Sequence, residues 1–226
     1  EYDNQPVFPE AKVLGGIMAE DIFHSHRTTA RYNRGDWSFY PSWGTSGLGV
    51  LRPLNMPGVL SEASFHDYIP ESWRLRNDYY LRQEARTFVR SFMAYFNAGQ
   101  LSHGTIAGIV RDPLHNVSYY YIPSTNDQKK PVNHVQVTLM PGNIIYNGDD
   151  RNNGFFLFDS LAPGQYTIYI EAEDYALDSA TVTVIANRTV FADKYLNEAP
   201  NYNPPTITSY QPDSASVNIG LYTPVV

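Results

Sequence analysis

The stretch "NGDDRNNGFFLFDSLAPGQYTIYIEAEDY", Asn147 to Tyr175, decides the fold of the second half of the chain. Two apolar runs of strand length, Phe155–Phe158 and Tyr166–Ile170, are separated by Pro163-Gly164 and preceded by Asn153-Gly154. Gly and Pro at those places supply tight turns, and Phe156, Phe158, Leu161 and Tyr166 read as core. Upstream, "GTIAGIVRD" alternates Ile106 and Ile109-Val110 with small residues, and "VNHVQVTLMPG" places Val135, Val137 and Leu139 on one face. With a further turn at Ala186-Asn187, short strands at this spacing predict a small antiparallel β-sandwich over residues 101–196.

Ahead of the sandwich the pattern changes. "PEAKVLGGIMAEDIFHSHR", Pro9 to Arg27, sets Leu14, Ile17, Met18 and Ile22 on one helical face, with Pro9 suited to the helix start. A second helix is predicted from about Tyr79 to Asn97, where Ala85, Phe88, Val89, Phe92 and Phe96 share a face and Gly99 provides the stop. Two short apolar runs between them, Val50-Leu51 and Val59-Leu60, read as strands. Helix, strand, helix over residues 1–100 reads as the closing part of an α/β layer structure that lacks its upstream portion. Residues 197–226 read as a proline-rich linker, stiffened at Pro204-Pro205, that leads into a further strand-like segment.

Bulk composition sets outer bounds. The chain has 226 residues, 42% hydrophobic and 17% charged, which supports a packed core. A net charge of −7 and the lack of any Lys/Arg-rich block argue against nucleic acid as a partner. There are no cysteines, so disulfides and thiolate metal sites are excluded. No apolar run reaches the roughly 18–20 residues of a membrane span.

Glu62 is the first candidate for chemistry. A carboxylate just after an apolar strand can act as general acid and base, or can simply be a solvated strand-end residue. Arg52 could bind a substrate carboxylate or pair with a structural acid, and His66 could bind substrate, relay a proton or be an ordinary loop histidine. His24 and His26, two residues apart on a helix, point to different faces, so they read as helix C-terminal charges rather than metal ligands. Trp37, Tyr40 and Trp43 could stack on a sugar or pack their own loop. Asp149 and Asp150 could bind calcium, but read more readily as a solvated turn. No metal ligand set can be placed from the sequence.

Residues 10–97 resemble the last part of the zinc-dependent N-acetylmuramoyl-L-alanine amidases of the Amidase_3 type. The resemblance rests on Val50-Leu51-Arg52, Met56-Pro57, Val59-Leu60, Glu62, Phe65 and the helix from about Tyr79. It implies that Glu62 is the carboxylate beside zinc, and that the zinc ligands lie upstream of the matched segment. Zinc is thus expected in the parent protein and not in this chain alone. Where the family has Glu-Thr-Gly-Phe, this chain has Glu62-Ala63-Ser64-Phe65, followed by His66-Asp67. Residues 101–196 resemble the carboxypeptidase regulatory-like domains, a prealbumin/transthyretin-type sandwich, through Asp149-Asp150, Gly154, Phe156, Phe158, Leu161, Pro163-Gly164 and Tyr166. The tail resembles the start of a bacterial Ig-like domain.

These resemblances imply a secreted, periplasmic or cell-surface bacterial protein. Its expected partners are peptidoglycan or another polysaccharide, together with the missing amidase portion. The expectation is a cell-wall hydrolase fragment with Glu62 as general acid/base, inactive as this chain alone. The alternatives are a polysaccharide-active enzyme of the kind labelled xanthan lyase, with Tyr68, His66 and Arg52 available for elimination, or a non-catalytic glycan-binding surface module.

Overall fold

The structure, a computed structural model, describes residues 8–36 and 47–200. Trp37, Tyr40 and Trp43, and the tail from residue 201 onward that is expected to begin an Ig-like domain, lie outside the described residues.

Among the described residues, three helices precede nine strands. The helices are α1 (Pro9–His26), α2 (Ile69–Arg74) and α3 (Asp78–Tyr95). The strands are β1 (Gly104–Asn116), β2 (Lys129–Pro131), β3 (Gln136–Met140), β4 (Ile144–Asn147), β5 (Phe155–Leu161), β6 (Gly164–Glu171), β7 (Asp178–Val184), β8 (Thr189–Phe191) and β9 (Lys194–Tyr195). β1 is the shared strand of the first sheet. It pairs antiparallel with β2 and β5 and parallel with β8 and β9. The second sheet runs in the order β4-β3-β6-β7, all antiparallel.

Alternate residues of β1 and β5 face opposite sides, as the period of a strand requires. Ile106, Val110, Phe156 and Phe158 join Val137, Leu139, Ile168, Ile170 and Val184 in the core between the sheets. Ala107, Ile109, Phe155 and Leu157 face the other way and form a second cluster with Tyr80 and Leu75. The run Phe155–Phe158 is therefore apolar throughout because both faces of this sheet are covered. The result is three layers: helices, a five-stranded sheet and a four-stranded sheet. A sandwich is present as expected, although its first sheet is mixed rather than antiparallel, and the helical segment packs directly on its outer face.

Gly154 (φ 56) makes the turn into β5, where an added Cβ would sit 2.3 Å from the Val110 carbonyl oxygen. Only glycine meets both the left-handed backbone and that approach.

The first hundred residues depart from expectation at three places. Val50-Leu51 lies in a series of turns, and residues 57–63 run without ladder partners, so neither predicted strand forms and the described residues there hold helices alone. Each run is only two residues long, directly after a glycine (Gly49 and Gly58), with no neighbouring strand to satisfy its backbone groups. α2 went unpredicted, although Pro70 near its start and Glu71 in its first turn are helix-start signals. Finally, α3 is turned over. It buries Tyr80, Gln83, Thr87 and Ser91, while Leu81, Val89, Phe92 and Phe96 are exposed. Its buried polar stripe meets α1 through hydrogen bonds: Thr87 Oγ1 donates to Ser25 Oγ at 2.8 Å, Ser91 Oγ to Asp21 Oδ2 at 2.6 Å, and Gln83 Nε2 to the Ser25 carbonyl.

Candidate functional site: a groove between the helices and the sandwich

A groove of about 1280 Å³ opens where α1, the 27–36 segment, the 58–68 segment and the 120–127 loop converge on the first sheet. Its walls carry two linked sets of charges. Arg74, at the end of α2, donates to both Asp127 oxygens at 2.9 and 3.3 Å. Arg111, on β1, donates to Asp127 at 3.3 Å and to Asp193 at 3.4 Å. Arg27, just past α1, forms a two-pronged pair with Asp193 at 2.8 and 3.0 Å, and the Ile109 N–H adds a bond to the same carboxylate. Tyr68 Oη donates to Asp127 at 3.1 Å.

Burial pushes the Asp127 carboxyl up, but Arg74 and Arg111 beside it outweigh that and hold it below the usual carboxylate range. Asp193 behaves likewise, with burial opposed by Arg27 and then Arg111. Both acids are therefore ionised near neutral pH and are spent on arginines. Their arrangement anchors the helices to the sheet, and it leaves no spare base in this network.

His26, Tyr80 and Gln83 line the inner end of the groove. Burial lowers His26 to about 4, against the opposing effect of a hydrogen bond to the Ile22 carbonyl, so the ring is neutral at pH 7. Tyr80 stacks edge-on against both His26 and Phe155, at centroid distances of 5.0 and 5.2 Å, and burial raises its hydroxyl pKa. At the mouth stand three rings largely open to solvent: Tyr32, Phe65 and Tyr120, 78%, 72% and 76% exposed.

Of the residues singled out from sequence, Glu62 lines this groove, exposed and without a hydrogen-bonding or ionic partner among the described residues. Arg52 and His66 lie outside its lining; Arg52 Nη2 donates to the Gly47 carbonyl at 3.2 Å. His24 is exposed and bonds Glu20 at 2.8 Å. His26 turns inward, where a solvated helix end was expected. Asp149 bonds Asn77, Asn153 and the Arg151 N–H, as a turn residue does. The Arg–Asp network was not read from the sequence. Its members stand 53, 82 and 166 positions apart, and no local pattern links them.

Zinc, implied by the amidase resemblance, needs about three protein ligands. Among the described residues, Asp112, His115 and Glu198 are the group whose ligand atoms come close enough to share a metal, and it lies outside the groove. Asp112 is already saturated: Oδ1 accepts from the Leu114 and His115 N–H groups, and Oδ2 accepts from Tyr175 Oη and contacts His115 Nδ1. These residues do not fit a zinc site at Glu62.

No protein-family model matches the chain, and no curated protein matches it. Solved structures give distant likenesses. The minor pilin GBS52 of Streptococcus agalactiae is 15% identical over 47% of this chain and 49% of its own, with a TM-score of 0.33. The Bacillus anthracis TIE protein is 14% identical over 43% of this chain and 17% of its own, with a TM-score of 0.32. A cohesin–X-dockerin complex of Acetivibrio cellulolyticus is 21% identical over 39% of this chain and 51% of the matched chain, with a TM-score of 0.29. The chain thus spans about half or less of the length of these proteins. No helix among the described residues is long and apolar enough to cross a membrane.

Proposed function

We propose that this chain is a non-catalytic glycan-binding module of a bacterial extracellular protein. The observation that carries this reading is the set of solvent-open aromatics, Tyr32, Phe65 and Tyr120, among the residues that line the groove. Aromatic rings offer an apolar face of fixed shape, on which the C–H faces of a sugar lie while its hydroxyls reach polar groups further in. Asp127 and Asp193 of the groove wall are held by Arg74, Arg111 and Arg27, which suits a fixed binding wall better than proton transfer by these two acids. Retention of the chain on immobilised peptidoglycan and plant polysaccharides tests the reading. Phe65→Ala and Tyr120→Ala are each expected to weaken retention by up to about tenfold with the melting temperature unchanged. Retention on no glycan, or retention indifferent to both substitutions, ends it.

A second reading is favoured by two observations. Ser64 adopts φ 66, the left-handed backbone that glycine favours, at the place where the amidase pattern has Gly. The exposed stripe of Leu81, Val89, Phe92 and Phe96 is what a helix shows when another layer is meant to cover it. Both support the helical segment as the edge of a larger amide hydrolase, with Glu62 as proton acceptor and donor and any metal ligands supplied from outside the described residues. In the whole protein, Glu62→Gln would then abolish muropeptide release, and undiminished release removes this reading.

A further inference from the structure

We infer that the outer face of α3 is a self-association surface, on which a second copy of this chain packs its own α3 in the opposite direction. α3 is inverted relative to an ordinary surface helix. Its polar side is spent inward: Gln83, Thr87 and Ser91 bond α1, while Arg86 and Arg90 reach the first sheet at Ser160 and Thr189. Its apolar side faces out. Leu81, Val89, Phe92 and Phe96 are 43%, 48%, 44% and 68% exposed, with exposed Ala85 and half-buried Phe88 between them. At spacings of three and four residues these six form one stripe along the helix, and none of them lines the groove. What the groove binds therefore has no bearing on what covers this face.

Size and charge along the stripe point to the occupant. A two-fold axis between Phe88 and Val89, with the helices crossing at roughly 20°, sets Phe96 against Leu81 of the second copy and Phe92 against Ala85. Each ring then meets a smaller residue, so the two faces interdigitate. In this register Arg82 lies across from Tyr95, and Glu84 across from Met93, so no charge meets its like. The parallel arrangement would oppose Arg82 to Arg82 and Glu84 to Glu84, which is repulsive. A membrane surface fits less well, because an anionic bilayer favours Lys and Arg beside the apolar stripe, whereas Glu84 stands at its margin and the chain carries a net charge of −7.

The available area sets the strength. Phe92 and Phe96 together leave one ring's worth of surface open, roughly 150–250 Å². With Leu81, Ala85 and Val89 the stripe reaches the roughly 300–600 Å² of the largest apolar patch on a monomer. Two such faces and their margins bury on the order of 1,000 Å², the lower limit of a specific interface. That area suits a reversible dimer with a dissociation constant on the order of 10–100 µM.

Sedimentation equilibrium of the whole chain, from about 1 µM to about 1 mM, is the test. The apparent mass is expected to rise from that of one chain to that of two. Val89→Glu sets two carboxylates together at the axis and should keep the chain monomeric throughout, as should Val89→Lys. An equal mixture of these two variants should dimerise again. Val89 is half exposed, so far-ultraviolet dichroism and melting temperature at the lowest concentration should match the parent. The chain has no cysteine, so cross-linking reads the direction of pairing. Leu81→Cys mixed with Phe96→Cys should give disulfide-linked pairs on oxidation, and Leu81→Cys alone should give none. A parent chain that stays monomeric to the highest concentration overturns the inference and leaves the stripe to a covering layer of the same protein. A dimer indifferent to Val89→Glu overturns it by placing the contact elsewhere. Cross-linking of Leu81→Cys to itself overturns the antiparallel pairing, and growth beyond two copies overturns the closed two-fold contact.

Discussion

Arg74 and Asp127, 53 positions apart, meet in a two-pronged pair of 2.9 and 3.3 Å that ties α2 to the β1–β2 loop. Arg111 reaches the same carboxylate from β1, so a single acid is shared by two buried cations. The energetic worth of such a group lies in what its removal leaves behind. Asp127→Ala would strand Arg74 without its acid and leave Arg111 with Asp193 alone, and is expected to cost about 3–5 kcal/mol in urea unfolding. The double variant Arg74→Met, Asp127→Leu removes a partner from each side and should cost clearly less than Asp127→Ala. Equal losses in both would show that desolvated charge is not the governing effect.

A pH titration of stability should show two steps. His26 is lowered from 6.5 to about 4, chiefly by burial, so the unfolded chain takes up its proton first as pH falls. Stability therefore rises with pH between about 4 and 6.5 and declines by about 3 kcal/mol on descending through that window. Replacing His26 with Gln should flatten this step. A second loss belongs to the depressed acids. Asp127, Asp193 and Asp112 stabilise the fold fully above their ordinary value of 3.8, and that contribution fades as pH falls further, through about 2 for Asp112. Thermal unfolding at fixed ionic strength from pH 1.5 to 8 measures both.

The sandwich was readable because its signals are local. Gly154 and Gly164 mark turns and Val135, Val137 and Leu139 alternate, so the sequence itself carries strand and face. α1 was equally legible, ending one residue earlier than predicted. The face of α3 was not. Phe88, Val89, Phe92 and Phe96 have the period of a core stripe, yet α3 instead buries Gln83, Thr87 and Ser91 against hydrogen-bonding groups of α1. Which stripe of a helix turns inward depends on what lies across from it, and apolar periodicity carries no record of a polar partner 58 to 70 residues away. The groove shared that fate. Glu62 was found by motif, whereas Arg74, Asp127, Arg111 and Asp193 become a network only through the fold.

Gly154 is irreplaceable on two counts, its φ of 56 and the 2.3 Å approach of a would-be Cβ to the Val110 oxygen. Gly154→Ala must either clash with the β1 backbone or break the Val110 N–H bond to the Gly154 carbonyl, 2.8 Å long. A loss of more than about 2 kcal/mol is expected. Gly164→Ala, where open space surrounds the would-be Cβ, should lose less, since only the backbone conformation opposes it. Chemical denaturation of the pair separates steric clash from backbone preference.

Ser64 offers the opposite case, a side chain where glycine would be at ease. Its φ of 66 costs about 1–2 kcal/mol for an L-residue, and its hydroxyl recovers only a 3.4 Å contact with Tyr80 Oη. Ser64→Gly relieves the backbone but loosens the unfolded chain by roughly 0.5–1 kcal/mol. The net expectation is a gain of about 0.5–1 kcal/mol, read as a higher urea midpoint. A lower midpoint would mean that the Tyr80 contact outweighs the strain.

Tyr80 decides whether helices and sandwich unfold together. It is 3% exposed and joins the apolar cluster of Ala107, Ile109, Phe155 and Leu157 on the outer face of the first sheet. Tyr80→Ala opens a cavity there and should cost about 3–5 kcal/mol, whereas Tyr80→Phe keeps the ring contacts with His26 and Phe155 and should cost under about 1.5 kcal/mol. Because this ring bridges the layers, the two variants should also differ in cooperativity. The helical far-ultraviolet signal and the near-ultraviolet signal of the tyrosines should fall together in the parent chain and in Tyr80→Phe. In Tyr80→Ala the helical signal should fall first, leaving a folded sandwich whose own core, from Ile106 to Leu196, lies on the far side of the sheet. Coincident transitions in Tyr80→Ala would show that the Arg27–Asp193 and Arg74–Asp127 pairs hold the layers together without it.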